Sequence, residues 1–364
     1  MNNRCRDILR MMLTTILATV LLSACSLIDD ELGEKKTTDY KLDYELRLVT
    51  NMTTEIKTQL STQLEVGLAH ALRQHLSGIF TDYAHDVDLS FYDTVGDSLR
   101  LQHDQHIMDA NQQSYTLYLP MRQYMHLAVA NVVNNAVVGL EGGDRCHQSR
   151  LNTVVGSSPE TVVGSSPADT INSHTTGLFT ARQPMKVLEG VNQTFNVHLY
   201  MANCAAALVI DPRGHDISSI QVYTTGFASR FNICDSSYVF APHDPIVRTQ
   251  LVTSADDNRV CYCSVNLPSR EPIYNKGTRS IIETEDFLGE PGNEDLWSFI
   301  AIITKKDGTK VRTDLTLKEP LRAGQLKILT GWVSDDSSVK TEDQTVSVSV
   351  SLNWNPGGNY EPEL

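Results

Sequence analysis

The histidines and cysteines are the residues of this sequence that could bind a metal or carry acid–base chemistry. Eleven histidines are present, and His103 and His106 form the only close pair. Two residues three apart share a face on a helix but point to opposite faces of a strand, and the surrounding sequence is typical of strand or loop. The sequence has none of the spaced motifs of metalloproteases, nucleotide-binding loops, serine hydrolases or calcium loops. We therefore predict a non-enzymatic protein without catalytic, cofactor-binding or metal sites.

Five cysteines lie beyond residue 25, and this odd number limits the disulfides that can form. They are Cys146, Cys204, Cys234, Cys261 and Cys263. At most two internal pairs are possible, so at least one thiol stays free. Cys261 and Cys263 alternate with Val260 and Tyr262 in a strand-like segment, which places both sulfurs on one face. No second Cys or His pair follows at zinc-ligand spacing, so we interpret Cys-Tyr-Cys as core or half-buried positions.

The first 25 residues have the layout of an export signal that ends in a cysteine. Three arginines precede an apolar run over residues 11–22, which is too short to span a bilayer as a helix. Leu-Ser-Ala-Cys at residues 22–25 resembles a bacterial lipobox, in which Cys25 is acylated and becomes the new N-terminus. An ordinary signal peptide that precedes a cysteine is the alternative. We predict removal of residues 1–24 and a lipid anchor on Cys25.

Acidic residues follow Cys25 within residues 25–38, which we predict to be a lipid-proximal linker. The run is similar to the export tag that sends Bacteroidetes lipoproteins to the outer face of the outer membrane, and a solvated charge run is the alternative. Residues 1–24 contain three Arg and one Asp, so the remaining chain has 27 basic and 43 acidic residues, a formal net charge of −16. Such a surface repels nucleic acid and anionic headgroups, and neither is a predicted partner.

Two periodic segments open the mature chain. Residues 41–49 alternate apolar and mostly charged side chains, which predicts a half-buried strand. Apolar residues then recur every four positions from Ile56 to Phe80. This pattern predicts a helix over about residues 52–78 that bends, breaks near Gly67 or is covered on several sides.

Strand-like segments fill most of the remaining sequence. Asp307-Gly308 between two of them is a strong hairpin signal. Because no helices alternate with these strands, the pattern favours antiparallel sandwiches over a parallel sheet. We predict a mainly β protein of two tandem antiparallel β-sandwich domains, residues 39–185 and 186–364, with one helix inserted in the first.

A tandem copy of an eight-residue unit occupies residues 153–168, between the two halves. The unit is rich in Gly, Ser and Pro, and such duplications are tolerated in surface loops. We predict a flexible loop over about residues 141–176.

The three tryptophans each lie in or next to a strand-like segment. We predict that Trp297 is a core residue. For Trp332 and Trp354 the choice between a core position and a carbohydrate-binding platform stays open, because a platform needs two exposed, coplanar rings.

Several segments together resemble the fimbrial-anchor and minor-subunit lipoproteins of Bacteroidales type V pili. The resemblance rests on the lipobox, the acidic run and residues 177–211, 321–331 and 346–364. It implies two tandem transthyretin-like domains in an acylated subunit that holds a fimbria to the outer membrane at the cell surface. The implied partners are other fimbrial subunits such as the major pilin, and adhesion to a host or bacterial surface ligand is a related role.

Strand exchange is the assembly mechanism that this resemblance implies. Shaft subunits of these pili polymerise after an Arg-specific protease removes their first strand, and a strand from a neighbouring subunit fills the groove. In an anchor, the lipid is attached at the N-terminus, so cleavage there would release the protein. The resemblance therefore implies that an anchor keeps its first strand.

The last segment is our candidate for contact between subunits. One of its faces is polar, and the other consists of Val346, Val348, Val350, Leu352 and Trp354. An apolar face of this kind suits strand addition to a sandwich groove. A normal final strand of the second domain is the alternative for this segment. For the whole protein, a surface glycan-binding lipoprotein of a polysaccharide-uptake system is the alternative function.

Overall fold

The structure is a computed structural model that describes residues 39–49, 66–80, 84–94, 99–107, 114–154, 170–191, 193–254, 258–272 and 295–353. Within these residues the chain forms 22 strands in four sheets, one α-helix and a short 3-10 turn at Cys146–Gln148. The predicted mainly β fold is confirmed.

The strands are numbered in chain order. The first eleven are β1 (Asp39–Val49), β2 (Val87–Asp93), β3 (Arg100–Ile107), β4 (Ser114–Pro120), β5 (Gln123–Ala130), β6 (Val138–Glu141), β7 (Arg150–Thr153), β8 (Thr170–Asn172), β9 (Phe179–Lys186), β10 (Gln193–Met201) and β11 (Cys204–Asp211). The remainder are β12 (Ile217–Thr225), β13 (Arg230–Asn232), β14 (Ser237–Val239), β15 (Ile246–Arg248), β16 (Gln250–Val252), β17 (Val260–Asn266), β18 (Trp297–Lys305), β19 (Lys310–Leu317), β20 (Leu326–Val333), β21 (Val339–Thr341) and β22 (Val346–Asn353). The helix α1 spans Val66–Ile79.

Four sheets contain these strands. Sheet 1 has the order β3-β2-β5-β9-β10-β1-β4, and sheet 2 has the order β16-β17-β11-β20-β21. Sheet 3 has the order β22-β19-β18-β12-β15-β8, and the small sheet 4 has the order β14-β13-β7-β6. The change from sheet 1 to sheet 2 falls between Met201 and Cys204, beyond residue 185, and the division into domains stays a prediction.

Three strand pairs are parallel, which corrects the expectation of purely antiparallel sheets. They are β1 with β10, β11 with β20 and β8 with β15. Parallel neighbours need a long crossover connection, which is usually a helix. Here each connection runs through strands of other sheets, so the missing helical alternation did not exclude parallel pairing.

Sheet 2 is the central layer of the fold. Ala205, Ala207 and Val209 of β11 belong to a buried cluster with residues of sheet 1 and α1. The intervening residues of the same strand, including Ala206 and Leu208, pack in a second cluster with residues of sheet 3. A strand covered on both faces reads as a continuous apolar run, and Cys-Ala-Ala-Ala-Leu-Val-Ile from residue 204 is such a run.

The two segments predicted at the start of the mature chain occupy the core of sheet 1. In β1, Leu42, Tyr44 and Leu46 are buried, as the alternation predicts. In α1, Leu68, Leu72, Leu76 and Ile79 are buried in the same cluster, together with Phe80 directly after the helix. Residues 50–65, where the first part of the predicted helix falls, lie outside the described residues.

Strands occupy both ends of residues 141–176, for which we predicted a loop. β7 of sheet 4 lies near the start of that range, and β8 of sheet 3 lies near its end. A disulfide between Cys146 and Cys234, with Cα atoms 5.5 Å apart, ties this region to the β13–β14 hairpin. Most of the repeated unit, residues 155–169, lies outside the described residues.

Two glycines shape sheet 3 and its core. Gly308 has φ of +85° and its N–H donates to the Lys305 carbonyl at 3.0 Å, so the predicted Asp307-Gly308 hairpin is confirmed between β18 and β19. Gly226 has φ of +91°, and a Cβ there would lie 2.6 Å from the Cα of Trp297. Only glycine allows this backbone to approach the buried tryptophan so closely.

His126 is a fully buried histidine within sheet 1. Its Nδ1–H donates to the Ser90 carbonyl at 3.0 Å, its Nε2 accepts from the Tyr44 hydroxyl, and its ring stacks on Phe91 at 4.3 Å between centroids. Burial disfavours the imidazolium and lowers the pKa of His126 from 6.5 to about 4. The native state therefore holds this histidine neutral in a range where the unfolded chain protonates it.

The pKa of His126 predicts a loss of stability in mild acid. As the pH falls from 6.5 towards 4, the unfolded state binds a proton that the native state does not bind, so the free energy of unfolding decreases. Between pH 6.5 and 5 this one group should cost about 2 kcal/mol. Chemical denaturation should show that His126→Gln removes this share of the pH dependence, while both proteins follow parallel curves between pH 7 and 8. An unchanged acid slope in the variant would contradict the assignment.

The disulfide also predicts a measurable stability term. It closes 88 residues of sequence, and the loop-entropy model gives a stabilisation of about 4.6 kcal/mol for a loop of this length. Replacing both cysteines, Cys146→Ser with Cys234→Ser, should lower the free energy of unfolding by this amount. Denaturation in guanidinium should show the loss as a lower midpoint. Reduction of the native protein should reproduce the shift, and the double variant should not respond to reductant.

Candidate functional site

β22 is the last strand of sheet 3 and, within the part of the chain that the structure describes, pairs on one side only. It runs antiparallel to β19 over eight residue pairs, from Leu317 opposite Val346 to Lys310 opposite Asn353. The strand predicted from the Val and Ser alternation is confirmed. An edge strand offers a row of backbone N–H and C=O groups to a further strand.

The neighbouring hairpin fixes which residues of β22 direct their backbone outward. The Lys305 N–H donates to the Thr309 carbonyl at 2.9 Å, one step beyond the pair of Thr304 and Lys310. Hydrogen-bonded and non-hydrogen-bonded pairs alternate in an antiparallel ladder. The odd-numbered residues of β19 therefore bond to β18, and the even-numbered residues bond to β22.

The backbone groups of the serines in β22 consequently bond to β19, and those of the valines do not. Ser347, Ser349 and Ser351 lie opposite even-numbered residues of β19, whereas Val348 and Val350 lie opposite odd-numbered ones. The backbone N–H and C=O groups of Val348 and Val350 therefore point away from the sheet, about 7 Å apart along the strand. We refer to these groups and the two valine side chains as the open edge.

The side chains of the open edge lie on the core face of sheet 3, beyond the part of that face that sheet 2 covers. Val348 is 44% exposed and Val350 is 43% exposed. Their neighbours in β19, Leu315 and Thr313, are fully buried. The two valines therefore form a half-exposed apolar stripe beside a complete core.

The length and position of β21 explain this exposure. β21 is the last strand of sheet 2 and has three residues. The Val339 N–H of β21 donates to Thr313 Oγ1 at 3.0 Å, so sheet 2 ends over β19. No strand of the described residues continues sheet 2 over β22.

The structure brings together the residues predicted for the candidate strand as far as it describes them. Val346 packs partly against the core cluster of sheet 3, and Val348 and Val350 follow on the same face. Leu352 lies in β22 opposite Val311. Trp354 lies outside the described residues. A contact role for this strand stays a prediction.

The first strand is held on both sides within sheet 1. β1 pairs with β10 over eight residues and with β4 over seven. Sheet 1 therefore has no vacant strand position between β4 and β10. An added strand could extend sheet 1 only at one of its edges, because the position of β1 is occupied.

The predicted lipid site, Cys25, lies outside the described residues. None of the helices that the structure describes has the length and apolarity of a membrane span. The anchor therefore rests on the sequence of residues 1–25.

The five cysteines that the structure describes are buried in the core or paired. Cys204, Cys261 and Cys263 are free and buried, and burial raises the pKa of the Cys261 thiol to about 12. A thiol with a raised pKa carries little of the nucleophilic thiolate. The interpretation of Cys-Tyr-Cys as core positions is confirmed, and one of the two disulfides that the sequence permits is present among the described residues.

The close histidine pair does not form a site. His103 lies beside Phe91 at 5.9 Å between ring centroids, and His106 Nδ1 lies 2.6 Å from Asp88 Oδ1. Both residues belong to β3, so their side chains point to opposite faces, as predicted. Among the described residues, no three His, Cys, Asp or Glu side chains come together as metal ligands.

The tryptophans differ in their surroundings. Trp297 is buried and its Nε1–H donates to the Glu319 carbonyl at 2.9 Å, which confirms its core position. Trp332 is half-buried, and the Arg213 guanidinium lies 4.3 Å from its ring centroid. Arg213 thus covers one face of the Trp332 ring, and the described tryptophans do not form a platform of two exposed rings.

Comparisons with known proteins gave matches among solved structures. No family model matches the chain, and no curated protein matches it. A candidate polysaccharide-binding protein from Bacteroides thetaiotaomicron is 11% identical, covers 84% of this chain and 97% of its own, and has a TM-score of 0.47. The fimbrial anchor protein Mfa2 from Porphyromonas gingivalis is 11% identical, with 86% and 98% covered and a TM-score of 0.43.

A candidate adhesin from Bacteroides thetaiotaomicron is 8% identical, with 87% and 97% of the two chains covered and a TM-score of 0.47. These neighbours include proteins of the kind that the sequence resemblance names. At these identities and TM-scores, the likeness gives the chain neither a family nor a function.

The assigned hydrogen bonds of β22 predict opposite responses to proline at adjacent residues. Val350→Pro removes an outward N–H and should change the free energy of unfolding by less than about 1 kcal/mol, because edge strands tolerate proline there. Ser349→Pro removes an N–H that donates to β19 and directs the ring at that strand, so it should cost about 2 kcal/mol or more. Denaturation of the two full-length variants compares them directly, and the reverse order would show that the opposite set of residues bonds to β19.

Proposed function

We propose that this chain is a non-enzymatic, lipid-anchored subunit of a fimbria at the bacterial outer membrane. It holds the fimbria to the cell surface or serves as a minor subunit, and it joins the next subunit by strand addition along β22. The observation that carries the proposal is the open edge, where the outward backbone of Val348 and Val350 coincides with half-exposed apolar side chains. The lipobox at Cys25 supplies the anchor, and the partner is a fimbrial subunit such as the major pilin.

Strand addition suits this edge because it pairs the outward backbone N–H and C=O groups and also covers the half-exposed valine side chains. Each ladder hydrogen bond to an added strand contributes about 1 kcal/mol net. Covering the exposed part of a half-buried valine contributes on the order of 0.5 to 1 kcal/mol more. The backbone bonds supply most of the affinity, and the alternating side chains set the register.

The retained first strand suits a subunit that stays attached to the membrane through its N-terminus. In this proposal the chain consists of two tandem transthyretin-like sandwiches, and β1 leads directly to the lipid-bearing segment. The occupied position of β1 between β4 and β10 fits a subunit that offers an edge to its neighbour while staying attached through its own N-terminus.

Proline substitutions at the open edge test the proposed contact. The full-length double variant Val348→Pro with Val350→Pro removes two outward N–H groups, so it should retain at least ten times less fimbrial shaft on co-purification from its own cells. Ser349→Lys is the matched control, because Ser349 is exposed and its backbone is engaged with β19. The control should carry shaft at the native level.

Folding must be measured in the same samples by thermal denaturation. A double-proline variant that keeps its native transition and still carries the native amount of shaft would place the interface elsewhere. Deleting residues 345–364 provides a second comparison, because a truncated chain that no longer folds would identify β22 as an ordinary core strand.

A further inference from the structure

A second exposed surface lies at the end of sheet 1 where the chain enters β1. Asp39, the first residue of β1, lies opposite Pro120, the last residue of β4. The turn after β9 meets the turn after β4, since the Val187 N–H donates to the Arg122 carbonyl at 2.9 Å. We define the entry end as residues 39–41, 93–94, 118–123 and 186–191.

The entry end concentrates exposed apolar side chains. Four of its residues are between 41% and 58% exposed, namely Tyr118, Met121, Leu188 and Val191. Hydrogen bonds fix the turns that carry them. The Leu188 N–H donates to Gln193 Oε1 at 2.7 Å, and the Tyr124 hydroxyl donates to the Pro120 carbonyl at 2.9 Å. A water-exposed apolar patch on fixed turns indicates an interaction surface.

The entry end is also electrically balanced in a strongly acidic protein. Its basic residues Lys41, Arg122 and Lys186 match its acidic residues Asp39, Asp93 and Glu189 in number, whereas the whole chain has a formal net charge of −14. Arg122 forms an ion pair with Asp93, so these two residues add no net charge to the surface. This end therefore lacks the excess negative charge that would repel a membrane surface.

The chain itself relates this surface to the membrane. Residues 26–38 separate Cys25 from Asp39, and thirteen residues reach at most about 45 Å when fully extended. A lipid on Cys25 would therefore keep the start of β1, and with it the entry end, within about 45 Å of the bilayer.

We propose that the entry end rests on the bilayer, with Met121, Leu188 and Val191 among the lipid headgroups. This contact rests on the proposed acylation of Cys25, and it concerns a surface other than the open edge of β22. Partly buried apolar side chains on a tethered protein add a second membrane signal to the lipid chain. The contact would fix the orientation of sheet 1 relative to the bilayer.

A fluorescent label at Leu188 tests the contact in the full-length mature protein. Leu188→Cys and, separately, Met121→Cys are labelled with bimane and reconstituted into vesicles of phosphatidylethanolamine and phosphatidylcholine that contain a doxyl-labelled lipid. Tyr200→Cys is the matched control, because Tyr200 is 57% exposed on the same sheet and lies about 23 Å along β10 from Gln193. Doxyl lipid should quench the two entry-end labels at least twofold more than the control label, and aqueous iodide should show the reverse order.

Mass spectrometry of the same samples shows whether Cys25 is acylated, so a failure of the anchor can be told from a failure of the membrane contact. If Cys25 carries no lipid, the proposed anchor is wrong and the membrane contact is rejected with it. If Cys25 is acylated but iodide rather than doxyl lipid quenches both entry-end labels, the anchor stands and the contact is wrong. Labels shielded from both quenchers would also overturn the contact, because another part of the chain or a second copy would then cover the entry end.

Discussion

The central strands of sheet 2, β11 and β17, are buried on both faces, and the arrangement of the other layers depends on this constraint. Alternate residues of β17 illustrate it, because Cys261 and Cys263 pack towards sheet 1 while the Tyr262 hydroxyl donates to the Ile220 carbonyl of sheet 3 at 2.8 Å. An apolar strand with two apolar faces needs a partner layer on each. Sheet 1 with α1 supplies one partner layer, and sheet 3 supplies the other.

The open edge follows from a mismatch in width between these layers. Sheet 2 ends in the three-residue strand β21, whereas sheet 3 continues to β22. β22 therefore has a complete ladder to one side, and its Val348 and Val350 side chains stay half-exposed within the described chain. A free protein with such an edge risks uncontrolled pairing, and the serines of β22 moderate this risk by keeping the other face polar.

Local patterns predicted much of this fold, and pairing between distant segments limited the prediction. The alternation in β1, the Asp307-Gly308 turn and the burial of Cys261 and Cys263 are properties of neighbouring residues, so the sequence contains them. The parallel pair of β1 with β10 joins segments about 150 residues apart, and no local pattern encodes that choice. β7 and β8 have four and three residues, which is too short for a period-2 signal.

The candidate strand shows the same limit at the level of single hydrogen bonds. The Val and Ser alternation of β22 predicts a strand with two different faces, yet it is equally compatible with either set of residues bonding to β19. The β18–β19 hairpin determines which set bonds. The hydrogen bond from the Lys305 N–H to the Thr309 carbonyl decides which residues of β19 bond to β18, and the backbone groups of the others remain for β22.

The proposed anchor also places a mechanical demand on β1. If lipid on Cys25 holds the protein and a fimbria pulls on β22, tension reaches β1 from the end at Asp39. Load along the axis of β1 acts in shear on its pairs with β10 and with β4. Bonds loaded in shear share the force, whereas bonds at the end of an unzipping pair break one at a time. A first strand held on both sides, with Leu42 and Tyr44 fully buried, is therefore suited to transmit tension from a filament to a lipid without leaving its sheet.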